Sequence, residues 1–237
     1  MFYIDWTYII IVLPFVIMAL IVSANVKLTF NRYSKRHSEC KMTGREIARA
    51  ILNANGLSEV QVVSIRGSLT DHYDPRTKIV SLSEDVYNST SMSAIGVAAH
   101  ECGHAIQHAK GYAPLKMRNK MVTVTNIGSK LAIPLIIAGI LASYLGEQWA
   151  IIAYVGVGCF ALSALFQLIT LPVEFNASKR ALAILDNSGS FTAKELRASK
   201  RVLSAAALTY VAALAVTLAQ ILRLFIIVLR YTSRRKD

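Results

Sequence analysis

The chain has 237 residues, 54% of them hydrophobic, and a formal net charge of +12 from 26 Lys and Arg against 14 Asp and Glu. With a mean hydropathy of +0.44, these values exclude a disordered chain and an ordinary water-soluble domain, and the length allows one or two domains. The basic excess flanks long apolar runs, so it points to a bilayer with anionic lipids and not to nucleic acid.

Trp6 to Val26 carries no charge and is long enough to cross a hydrocarbon core of about 30 Å. Asp5 and no basic stretch precedes it, which disfavours a cleaved signal peptide, so 1–26 is expected to be a retained transmembrane helix. Residues 27–130 follow as a polar part. Within it Thr43 to Asn53 predicts a short helix capped by Thr43 and Glu46, with Gly56 beyond its end. Val60 to Ile65 and Lys78 to Leu82 predict strands, and Gly67 to Arg76 between them reads as a polar turn around Asp74-Pro75. The second strand is expected to offer an open edge to an extended peptide. Ser91 to Lys110 predicts a helix with the apolar stripe Ile95, Ala98, Cys102 and Ile106.

Residues 131–173 form a predicted transmembrane hairpin, Leu131 to Gly146 and Gln148 to Val173, turning at Gly146 to Gln148. Residues 174–201 are polar again. Residues 202–237 hold a last apolar run, Val202 to Leu222 and on to Leu229, and a basic tail; the sequence does not decide whether this run crosses, bends or re-enters. Lys and Arg cluster after the first span, before the hairpin and after it. The positive-inside rule therefore places these segments in the cytoplasm and the N-terminus outside, in a multi-pass protein of the plasma membrane.

The chemistry sits on the Ser91 to Lys110 helix, in His100-Glu101-Cys102-Gly103-His104. Four residues advance a helix by about 400°, so both imidazoles project from one face and reach one zinc ion. Glu101, one position on, stands beside that ion as general base. A third ligand is needed. His108 would lie about 12 Å along the axis from His100, too far for bonds of about 2 Å. Gln107 and Lys110 exclude the metzincin spacing. Glu147 falls at the far end of the hairpin. Glu174 is the first residue after it, where a carboxylate at a membrane boundary is costly without a role; Asp186 and Glu195 lie on the same side in a more polar stretch. Ser178 follows Glu174 by one turn, where its hydroxyl could orient a ligand.

His100 to Gln107, Leu171 to Ser178, and Asp71 to Thr77 followed by Leu82 to Tyr87 together resemble the bacterial membrane zinc metallopeptidases typified by YugP. The resemblance runs from about residue 27 to the end of the chain. It implies a gluzincin-like site with one catalytic Zn2+ held by His100, His104 and Glu174, and Glu101 as catalytic base. Relatives commonly carry Asp where this chain has Ser178. An oxyanion donor is expected from His72, Tyr73, Arg180 or Tyr210, which spacing does not separate. The expected fold is a mainly α integral membrane protein, transmembrane helices with a small α+β zincin-like catalytic part and a short β-sheet. The expected function is a membrane-anchored zinc endopeptidase acting on a protein or peptide substrate at the cytoplasmic membrane surface. The alternatives are an inactive metal-binding scaffold and a transporter, and a homo-oligomer stays open.

The three cysteines, Cys40, Cys102 and Cys159, are odd in number, widely spaced and form no CxxC pair, so neither a disulfide framework nor a cysteine zinc cluster is expected. Cys102 is expected to pack away from the metal face, and Cys159 to belong to a small-residue helix contact with Gly156 and Gly158.

Overall fold

The computed structural model describes residues 6–233. Asp5, used above against a cleaved signal peptide, and the basic tail residues Arg234, Arg235 and Lys236 lie outside them. The protein is a mainly α integral membrane protein with one small sheet. Its elements are a π-helical turn Tyr8–Val12, α1 (Leu13–Ser34), α2 (Gly44–Ala54), β1 (Gln61–Ile65), β2 (His72–Asp74), β3 (Ile79–Ser83), α3 (Glu84–Tyr87), α4 (Met92–Ala109), α5 (Ala113–Ser143), α6 (Ile151–Asn187) and α7 (Ala193–Ser233). Among the described residues four helical segments are long and apolar enough to cross a membrane: Tyr8–Ser34, Ala113–Ser143, Glu147–Asn187 and Ala193–Tyr231. Ile10, Leu20, Ile21, Leu141 and Ile151 on these segments are exposed, which suits hydrocarbon and not water. The last apolar run is thus part of one unbroken helix, and α6 continues through Pro172 to carry Glu174 and Ser178.

The chain divides into two compact units. The first comprises the residues up to Ile21, Met117–Thr170, and those from Thr209 onward. In it, α5 and α6 approach through small residues. A Cβ on Gly156 would stand 2.8 Å from the Ala132 carbonyl oxygen, and one on Gly139 would overlap the backbone of Ala153. Without side chains at these points the two backbones meet closely, the packing expected of membrane helices. The turn between them is a single 3-10 turn, Glu147–Ala150.

The second unit comprises Val22–Lys116 and Leu171–Leu208 and holds the sheet and the larger apolar core. Leu52, Val80, Leu82, Val86 and Ile95 are fully buried in it, each contributing about 1.5–3 kcal/mol. The start of α2 is fixed by a capping box: the Thr43 backbone N–H donates to Glu46 Oε2 at 2.8 Å, and the Glu46 N–H to Thr43 Oγ1 at 3.3 Å. Ser91 caps α4 by accepting from the Ala94 N–H at 3.3 Å. Cys102 lies on the buried face of α4 with its sulfur 3.6 Å from the Ala48 carbonyl of α2, as its stripe position predicts.

Two strand expectations need correction. The sheet order is β1-β3-β2, with β1 parallel and β2 antiparallel to β3. The strand expected to be open is therefore central and paired on both sides, and the edges are β1 and β2. The edge strand β2 falls inside the segment read as a turn. His72, Tyr73 and Asp74 pair with Ser81, Val80 and Ile79, a non-local pairing that overrides local turn composition.

Candidate metal centre

All residues of the site belong to the second unit. His100 and His104 stand one turn apart on α4, their rings edge to face with centroids 4.7 Å apart. Their Nε2 atoms lie 3.3 Å and 3.5 Å from a single oxygen, Oε2 of Glu174 on α6. What lets α6 come so close is Gly103, between the histidines: a Cβ there would sit 2.7 Å from the Ala177 carbonyl oxygen. Glu174 and His104 are buried, and so is Glu101.

Each imidazole is held from behind. Ser178 Oγ lies 3.1 Å from His100 Nδ1. His104 Nδ1 lies 3.0 Å from Gln107 Oε1. The Gln107 amide nitrogen donates to the Val173 backbone carbonyl at 2.8 Å and to Asn176 Oδ1 at 3.0 Å. A backbone carbonyl only accepts, so the amide NH2 must face Val173 and the amide oxygen must face His104. His104 then carries its proton on Nδ1 and aims a lone pair from Nε2 at the Glu174 carboxylate. Arg180 completes this chain by donating from Nε to Asn176 Oδ1 at 2.7 Å, its guanidinium over the Tyr112 ring.

Lone pairs converging on one point repel unless a cation sits among them. His100, His104 and Glu174 each offer a donor atom, and these atoms lie within 4.8 Å of one another. Tetrahedral zinc with bonds of about 2.0–2.1 Å separates its ligand atoms by about 3.4 Å, which matches the 3.3 Å and 3.5 Å separations. The donor set, the spacing and the forced tautomer thus fit a zinc ion with one position left for water. No other such cluster of three His, Cys, Asp or Glu occurs among the described residues.

Electrostatics agree with a site that competes with protons for its cation. Burial alone would lower the His104 pKa, but the hydrogen bond to Glu174 and the charges of Glu101 and Glu174 outweigh it and hold it above 6.5. Burial raises the Asp71 carboxyl, against hydrogen bonds from the Ser83 N–H and hydroxyl, and the Glu101 charge raises it further.

The other sequence candidates are placed as follows. Tyr73 on β2 bonds through its hydroxyl to His108 Nδ1 at 2.9 Å, which ties the edge strand to the end of α4 and occupies His108 away from the cluster. His72 is exposed on β2, its Nδ1 2.9 Å from the Thr70 carbonyl. Arg180 supports Asn176 as described. Tyr210 lies on α7 in the first unit, and Glu147 lies in the 3-10 turn of that same unit. Glu195 caps α7, accepting from the Thr192 N–H and from Ser38 Oγ. Gln107 and Asn176 received no role from the sequence. The available signal for Gln107 was its place three residues after His104, on the same helical face.

In this integral membrane protein two histidines of an HExxH segment meet a buried glutamate, the parts of a metal centre, and comparison with known proteins makes the family explicit. The chain belongs to the family described as "Putative neutral zinc metallopeptidase", whose profile matches residues 8–229. It is 47% identical over 204 residues to a protein of Bacillus subtilis (strain 168) described as "Putative membrane protease YugP", a match covering 86% of this chain and 88% of that one. No solved structure matches the chain.

Proposed function

We propose that this protein is a membrane-anchored, zinc-dependent endopeptidase of gluzincin type, with His100, His104 and Glu174 as metal ligands and Glu101 as general base. The observation that carries the reading is the convergence of both Nε2 atoms on Glu174 Oε2, with their Nδ1 atoms held by Ser178 and Gln107. When bound, zinc supplies the Lewis acidity that activates water and polarises a peptide carbonyl. Glu101 accepts the proton released by the attacking water and delivers it to the departing amine. Ser178 and Gln107 hold the imidazoles in the ligating tautomer. Substrate backbone adds to the free edge of β2, which the Tyr73–His108 hydrogen bond fixes to the end of α4.

The active site faces the cytoplasm in this reading and the N-terminus lies outside, supported by the Lys and Arg clusters that flank the apolar runs. A base beside the metal has no use in a purely structural site, which favours a peptidase over a scaffold. The test is purification in detergent, metal analysis, and peptide cleavage by wild type and Glu101→Gln. Retained zinc with cleavage reduced by about 10²–10⁴-fold is the expected result; equal cleavage by both proteins refutes the assignment of Glu101.

A further inference from the structure

A cavity lies in the same unit as the histidines, away from them in sequence and unused by the mechanism. It has a volume of about 650 Å³ and opens between α1 and α7, where Arg32, Arg197, Lys200 and Arg201 line it. No Asp or Glu lines it, and among the described residues none of the four cations forms an ion pair. Tyr33, buried beneath, accepts a hydrogen bond from Arg201 Nη1 at 3.0 Å and so fixes one guanidinium at the cavity wall. Four uncompensated cations around one hollow repel each other, and an anion relieves that repulsion.

The cavity also has a direction. On α1 its lining runs from Arg32 back through Thr29 to Asn25, toward the uncharged run that ends at Val26. On α7 it runs from Arg197 forward through Ser204 and Ala205 to Leu208, into the uncharged run that begins at Val202. Both sets follow helical spacing, so each occupies one face. The charged ends coincide and the uncharged ends coincide. The hollow is thus cationic at one end and uncharged at the other, where Ala205 and Leu208 line it and the two helices enter their apolar runs.

We propose that this cavity binds the headgroup of an anionic glycerophospholipid, with its phosphate against Arg32, Arg197, Lys200 and Arg201 and its glycerol and first acyl carbons over Thr29, Ala205 and Leu208. A free phosphate ion would use only the cationic end, and a zwitterionic lipid would bring its own cation to it. Basic hollows between membrane helices are suited to such headgroups by charge and by shape.

The test uses the full chain in detergent and native mass spectrometry with added phosphatidylglycerol or phosphatidylcholine. Wild type retains phosphatidylglycerol at least about tenfold better than phosphatidylcholine. The double variant Arg197→Gln/Lys200→Gln loses that retention by about tenfold or more. Ser204→Trp, which fills the hollow without changing charge, loses it similarly. Lys110→Gln/Lys116→Gln, which removes equal charge elsewhere, stays within about twofold of wild type. All the substituted side chains are exposed, so the core is untouched. The proposal is overturned if the two double variants lose lipid equally, if Ser204→Trp has no effect, or if inorganic phosphate displaces the lipid at equal concentration, which would mark a simple ion site.

Discussion

Gln107 illustrates how much of the candidate centre depends on a side chain that touches no proposed substrate or metal. It is fully buried, and it turns the backbone carbonyl of Val173 into a constraint on the protonation of His104 through two successive hydrogen bonds. Replacing it with Leu leaves a buried Nδ1–H without an acceptor and frees the ring to rotate. Gln107→Leu is expected to weaken zinc binding by about 10–100-fold, measured by competition with a chromophoric chelator, with all three candidate ligands intact. Proton competition adds a second expectation. His104 has a raised pKa in the folded, metal-free protein, so its imidazolium–Glu174 pairing contributes stability that is full below the ordinary value of 6.5 and is lost as pH rises through the raised one. Metal needs the neutral ring, so apparent zinc affinity should increase with pH across that same window. A zinc titration series that is flat from pH 6 to pH 8 would contradict the pairing.

At the scale of elements, the centre is a contact between α4 and α6. The contact is set by Gly103, whose missing side chain leaves room for the Ala177 carbonyl. Gly103→Ala places a methyl 2.7 Å from that oxygen, and backbone on both sides gives it no flexible neighbour to displace. The helices must separate by a few tenths of an ångström or more, and Glu174 and Ser178 move with α6. Overpacking of this kind costs about 1–3 kcal/mol. The expected outcome is a lowered melting temperature together with weakened zinc binding, in a variant that retains every donor atom; unchanged binding would show that the two helices are not what sets the ligand spacing. The sheet contributes differently. With β3 central and β2 outermost, the only strand of the three that pairs on one side and is tied to α4 is β2, which is why the proposed substrate edge shifts from β3 to β2.

For the whole molecule, a metal at this centre cross-links segments far apart in sequence, since α4 and α6 are separated by all of α5 and the hairpin turn. Ligand binding to the native state alone stabilises it by about 4 kcal/mol when free zinc exceeds its dissociation constant 1,000-fold. Stripping the protein with a chelator in detergent should therefore lower its thermal midpoint by several degrees, and zinc should restore it. The second unit carries that response, because it holds the three candidate ligands and the larger apolar core.

The apolar runs, the capped helix at Thr43, the HExxH helix and two of the three strands were legible in the sequence because each depends on local periodicity, capping chemistry or length. The shared face of His100 and His104 was legible for the same reason. Glu174 could be favoured over Asp186 and Glu195 from its place at the end of an apolar run, but its approach to the histidines depends on how α6 packs against Gly103. The support from Gln107 and Asn176 and the edge position of β2 were decided by tertiary structure alone. A buried amide reveals its partners only when the helix carrying Val173 is in place, and a three-residue polar strand forms only because β3 is there to pair with it.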